Sequence, residues 1–75
     1  MKAETYQKDS RKKKIYTQKR DDGFYNVIVE TEIFSGYYKI STFLNEFYVE
    51  YKDALFTFYA ENSKAIENGW VDINR

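Results

Sequence analysis

This chain of 75 residues has no cysteine, no histidine and no proline, and only three glycines. Without cysteine there can be no disulfide, no thiolate metal site and no sulfur nucleophile. Without histidine the usual general base and the commonest zinc ligand are missing. Ser10, Ser35, Ser41 and Ser63 therefore lack the neighbouring base that would activate a hydroxyl, and each fits a tail, a turn or a helix cap. Gly23, Gly36 and Gly69 stand singly at expected turns or helix ends, so no glycine-rich phosphate loop is present.

No run of strictly apolar residues exceeds three, far short of a membrane span or the core of a signal peptide. The expectation is a soluble, cytoplasmic protein with no membrane partner. Oxygen ligands are the remaining route to chemistry. Asp21-Asp22 and the pair Glu30/Glu32 are the local clusters, and adjacent acids in a turn serve first as turn formers. No enzyme activity, metal or cofactor is expected.

What the chain has in excess is aromatic surface: eight Tyr, six Phe and one Trp. Large rings bury much area per residue, which helps so short a chain close a core. Lys, Asn, Ile, Tyr and Phe make up close to half the residues, a bias that points to an AT-rich genome such as that of a phage, a plasmid or a low-GC bacterium.

Net charge is zero, yet the charge is unevenly spread. Residues 1–20 carry eight Lys/Arg against two acids, and residues 21–75 carry four against ten. Residues 1–13 lack apolar periodicity and read as a basic flexible tail, ending in the cluster Arg11, Lys12, Lys13 and Lys14. Residues 14–75 read as a single small α+β domain.

From Lys14 the pattern has period two, which predicts strands over Lys14–Arg20, Phe24–Phe34 and Tyr37–Ser41. Asp21-Asp22-Gly23 fits a three-residue hairpin loop with glycine in the left-handed region. It pairs Arg20 with Phe24, Thr17 with Val27 and Ile15 with Val29. Ser35-Gly36 fits a two-residue turn that pairs Ile33 with Tyr38 and Thr31 with Ile40. One sheet face then collects Ile15, Thr17, Tyr25, Val27, Val29, Thr31, Ile33, Tyr38 and Ile40. The other interleaves Tyr16, Phe24, Ile28, Phe34 and Tyr37 with polar and charged groups.

Thr42 to Gly69 carries helical periodicity. Leu44, Phe47, Tyr48, Tyr51, Ala54, Leu55, Phe58, Tyr59, Ala65 and Ile66 fall in one arc. Ser41 or Thr42 is the expected N-cap. Gly69 suits the left-handed position past the last turn, with Trp70 folding back towards Ala65. A competing strand reading exists where Phe47, Val49 and Tyr51 alternate with polar neighbours. The predicted fold is thus a three-stranded antiparallel β-meander packed on one face by a single long C-terminal α-helix (βββα), with Val71–Arg75 adding an edge strand or fraying.

On that helix Glu46, Glu50, Asp53 and Glu61 would form an acidic ridge able to enter a basic groove of a host protein. Tyr16, Phe24, Phe34, Tyr37 and Phe56 would supply exposed anchors. These features predict a small protein-binding protein, an inhibitor of a host defence or nucleic-acid-handling protein of the kind mobile elements encode. Self-association into an oligomer is also expected. The alternative is a nucleic-acid-binding module, in which Arg11, Lys12, Lys13 and Lys14 track phosphates and sheet aromatics stack on bases.

Overall fold

Two local signals act as the sequence dictates. In the computed structural model, which describes residues 2–35 and 37–74 with the side chains of 34 and 35 left aside, the Asp21-Asp22-Gly23 loop closes a hairpin. The Arg20 N–H donates to the Phe24 carbonyl at 2.8 Å, and Gly23 sits at φ 88°. Asp22 secures the loop, accepting from the Phe24 N–H at 3.1 Å and pairing with Arg20 at 2.9 Å. The helix end is also as expected. Gly69 sits at φ 87°, its N–H donates to Ile66, and the Trp70 N–H reaches back to the Ala65 carbonyl at 3.1 Å. This is a Schellman ending.

Between and around these points the architecture is larger than the predicted meander. Six elements follow in order: β1 (Ala3–Lys8), β2 (Arg11–Lys19), β3 (Tyr25–Ser35), β4 (Tyr38–Tyr48), α1 (Tyr51–Glu67) and β5 (Val71–Asp72). The described strands form one five-stranded sheet in the order β4-β3-β2-β1-β5, with every neighbouring pair antiparallel. The fold class α+β holds, with an antiparallel sheet packed against one helix. The three-stranded count does not, and the helix has 17 residues rather than about 26.

Each difference has a physical reason. Residues 3–13 are not a tail. β1 pairs with β2 from Ala3–Tyr16 to Lys8–Arg11, across a turn in which Asp9 takes φ 56°, a conformation that Asp tolerates better than most side chains. One apolar anchor, Tyr6, holds this strand in the core, so periodicity alone could not reveal it. β4 takes Thr42–Tyr48 from the expected helix because β3, at 11 residues, offers a ladder of equal length. Pairing with β3 runs from Ser35–Tyr38 to Tyr25–Tyr48, and a segment rich in Phe, Tyr and Thr suits a strand better than a helix. The helix then starts after Glu50, an N-cap without a side-chain cap bond, and neither Ser41 nor Thr42 caps it.

The predicted β2–β3 register is met: Ile15 faces Val29 and Thr17 faces Val27. In the next hairpin Ile33 faces Ile40 rather than Tyr38, and Thr31 faces Thr42 rather than Ile40. A slip of two residues leaves every side chain on its predicted face. That face receives α1. Tyr6, Ile15, Val29, Phe58, Ala65 and Trp70 form the buried cluster. Within it the Tyr6 hydroxyl donates to Asn62 Oδ1, while the Asn62 amide donates to the Phe58 carbonyl at 2.7 Å. β5 adds a short clasp, pairing Tyr6 with Asp72 and Gln7 with Val71.

A chain shortened by residues 1–10 is therefore expected to lose its cooperative fold rather than a dispensable tail, as read by far-UV circular dichroism and urea melting. The milder change Tyr6→Phe removes the donor to a buried carbonyl and is expected to cost about 1–3 kcal/mol. An unchanged urea midpoint for the truncated chain would show that β1 contributes nothing.

Candidate functional site

The structure disperses two of the three sequence-predicted constellations. Of the acidic ridge, Glu46 lies on β4, Glu50 precedes the helix, and Asp53 and Glu61 alone stand on α1. Glu46 accepts from the Tyr48 hydroxyl, which in turn accepts from Thr57 Oγ1 at 2.7 Å. Glu50 pairs with Lys52 at 3.2 Å. Glu46 and Glu50 stand off the helix, so the four carboxylates do not form the helical ridge that the sequence predicts, although Glu46 and Glu61 both act on the Tyr48 hydroxyl.

The basic cluster lies within β2, where alternation splits it between opposite faces. Arg11 and Lys13 turn to the helix side and sit over the Trp70 ring, at 5.4 and 4.6 Å from its centre. Burial lowers the Lys13 pKa, with Glu61 acting in the opposite direction. Lys12 and Lys14 turn to the other face, directly opposite Glu32 and Glu30. On the helix side Lys64, Arg11 and Lys8 stand near enough to Lys13 to add to that lowering, so the cations there form a group round Trp70 rather than a strip along β2.

The third constellation is partly gathered. No described element covers the sheet face opposite α1. Register sets its rows: Lys12–Glu32–Ser41, Lys14–Glu30–Phe43, Tyr16–Ile28–Asn45 and Gln18–Asn26–Phe47. Half is a lattice of charges, closed by the Lys39–Glu32 pair at 2.7 Å. The other half is aromatic. Phe24 meets Phe47 edge to face at 5.1 Å, and the Arg20 guanidinium lies 5.0 Å from the Phe47 ring centre. Phe43 is 69% exposed and Phe47 49%.

Of the predicted anchors, Tyr16 and Phe24 lie on this face, both half-buried. Tyr37 is exposed at the tip of the β3–β4 hairpin, and Phe56 is exposed on the helix, away from the sheet aromatics. The Phe34 side chain lies outside the described residues. Phe43 and Phe47, the most exposed rings of the face, were assigned to a helix by the sequence reading. Matching strand lengths across a tight turn would have found them, because an eleven-residue strand ending near Ser35 needs a partner reaching about Phe47.

Two polar details belong to this face. Asn26 Oδ1 is buried beside Phe47 without a hydrogen-bond partner. The Tyr16 hydroxyl donates to Glu30 at 2.7 Å beneath the Lys14 ammonium. That bond, together with burial, pushes the Tyr16 pKa up to about 12. A hollow of about 150 Å³ between Thr5, Lys12, Lys14, Glu30 and Glu32 is smaller than a typical small-molecule site. Among the described residues no cluster of acids is arranged to hold a metal ion, and no helix is long and apolar enough to cross a membrane.

The fold and this face define a small α+β protein with an open aromatic sheet surface. No protein-family model matches the chain, and no curated protein or solved structure shows significant similarity to it.

The Tyr16–Glu30 bond makes a pH prediction. The folded state favours the neutral phenol, so its stabilisation is complete below pH 10 and drains away as pH rises through about 12. Glu30→Gln should bring one tyrosinate transition down towards pH 10 in an ultraviolet titration, compared with the same titration on Tyr16→Phe. An unchanged titration curve for Glu30→Gln would remove this bond from the account.

Proposed function

We propose that this chain is a non-catalytic protein-binding protein of the inhibitor type, which acts by covering part of a partner's surface with the open sheet face. The observation that carries the reading is the pair of exposed rings, Phe43 and Phe47, on a face that no described element covers. Aromatic anchors flanked by Arg20 and a rim of paired charges have the composition of a protein interface, apolar at the centre and polar at the edge. The bias towards residues with AT-rich codons fits an origin in a phage, a plasmid or a low-GC bacterium, and on the first two the target is a host protein.

A nucleic-acid partner is the weaker reading. A single-strand binder sets aromatic platforms in a groove of positive charge. Here Lys12, Lys14 and Lys39 share the face with Glu30 and Glu32, and Arg11 and Lys13 are turned away onto Trp70. The acids would repel a phosphate backbone where the lysines would attract it.

The test is affinity capture from a low-GC bacterial lysate, with and without nuclease. The intact chain is expected to retain a defined protein after nuclease treatment, and F43S/F47S to bind it about 30-fold more weakly or worse, as for anchors contributing about 2 kcal/mol. F56S is the control and should bind as the unaltered chain does. Capture that disappears with nuclease would move the assignment to nucleic acid. Equal retention by F43S/F47S would remove the sheet face from it.

A further inference from the structure

The two edges of the sheet are built in opposite ways. At one end β5 is only two residues long, Val71–Asp72. At the other, β4 runs for 11 residues, Tyr38–Tyr48, with almost its whole length exposed. Folded proteins commonly blunt such an edge with lysines, proline, bulges or a short strand. β4 has no proline or glycine, one Lys and one Glu, and the six residues 40–45 carry no charge at all.

Its open hydrogen-bonding groups can be assigned. The Arg20 N–H to Phe24 carbonyl bond fixes the ladder so that even-numbered residues of β3 bond to β2. The odd-numbered residues of β3 therefore bond to β4, and their partners there are even-numbered. Lys39, Ser41, Phe43, Asn45 and Phe47 are left with N–H and C=O directed away from the sheet. This is a template of five residues with alternate donors and acceptors.

We infer that β4 pairs with β4 of a second copy, antiparallel about a two-fold axis through Thr42, joining two five-stranded sheets into one continuous sheet of ten. Such an axis is perpendicular to the sheet, so each residue must meet one of the same parity. The register centred on Thr42 sets Ile40 against Leu44, Tyr38 against Glu46, Ser41 against Phe43 and Lys39 against Asn45. On the helix side this makes a row of Ile40, Leu44 and their two copies, with a tyrosine hydroxyl facing each carboxylate. No like charges oppose one another. The neighbouring register, centred on Phe43, would instead put Ile40 against Glu46 and Lys39 against Phe47.

The available surface suits a pair. Tyr38, Ile40 and Leu44 are exposed on the helix side, where the pairing sets them in one row against their copies. The main chain of β4 adds the hydrogen bonds of its five outward residues to that contact. The same pairing brings Phe43 and Phe47 of both copies onto one face, so the dimer doubles the aromatic surface. The dimer and the binding role of that face stand on different observations and can fail separately.

Because the chain has no cysteine, one introduced thiol reports the axis directly. Thr42 meets its own copy at a non-hydrogen-bonded position, where Cα atoms lie about 4.5 Å apart, within disulfide range. T42C is expected to form a covalent dimer on mild oxidation, whereas S41C and F43C are expected to remain largely uncross-linked. T42K and T42E should each sediment as monomers, and an equimolar mixture should sediment as a dimer. Circular dichroism confirms that each exposed-site variant is folded. Three results would overturn the proposal: a monomer at every concentration tested, S41C or F43C cross-linking as readily as T42C, or amide protection on β4 that arises only when a different protein is added. The last would assign the edge to a strand of that protein.

Discussion

One helix cannot cover this sheet, and most of what distinguishes the molecule follows from that mismatch. The 17 residues of α1 span roughly 26 Å at 1.5 Å per residue. The 11-residue strands β3 and β4 run roughly 37 Å at 3.3–3.4 Å per residue, close to the 40 Å long dimension of the molecule. The helix is fixed at both ends of its path. It begins just past the end of β4, where Tyr51 packs on Tyr25 at 5.1 Å, and finishes against Trp70 next to β1 and β5. Phe58 sits midway with Ile15 and Val29. A diagonal of that length closes the core over β1, β2 and the proximal part of β3. Ile40 and Leu44 are left open on the helix side of β4, as are Phe43 and Phe47 on the reverse.

The closed end is held by polar contacts as much as by apolar area. The Tyr6 hydroxyl and Asn62 join β1 to the helix inside the core. The Lys8 ammonium donates to the Asn68 carbonyl at 2.6 Å, placing a cation at the helix C-terminus, where the dipole favours one. Arg11 and Lys13 bracket the Trp70 ring, and the Ile73 N–H bonds to the Thr5 carbonyl at 3.0 Å. The first and last segments of the chain are thereby tied to each other. The β4 edge has no such tie to another part of the chain beyond β3 and the start of the helix among the described residues.

The sequence was legible where a local rule was decisive. Gly23 and Gly69 occupy the left-handed positions assigned to them, the β2–β3 register follows from the loop, and Ile15, Thr17, Val27 and Val29 are buried on the face assigned to the helix, whereas Tyr38 and Ile40 of that face are exposed. It was misread where two periods coexist. Leu44, Phe47, Tyr48 and Tyr51 satisfy a helical arc and a strand alternation together, and only the length of β3 decides between them. β1 was hidden for another reason. Its inward residues are Glu4, Tyr6 and Lys8, so a strand with a single apolar anchor looks like a charged tail. That anchor is recognised by its partner Asn62, which lies 56 positions away and leaves no local pattern.

The uneven charge along the chain invites an electrostatic account of recognition, yet the fold uses that unevenness internally. The basic segment and the acidic remainder lie against each other: Lys12 opposite Glu32, Lys14 opposite Glu30, Lys13 beside Glu61 and Lys8 at the helix end. Charges paired at such range leave little field beyond a Debye length of about 8 Å at physiological salt. The reverse side of the sheet carries short-range features instead: the exposed rings of Phe43 and Phe47, the buried Asn26 acceptor beside Phe47, and the unbonded edge of β4. A buried acceptor without a partner next to exposed rings departs from the best packing a sheet could have, so the reverse side of β3 and β4 is shaped less by the demands of the core than the side that α1 covers.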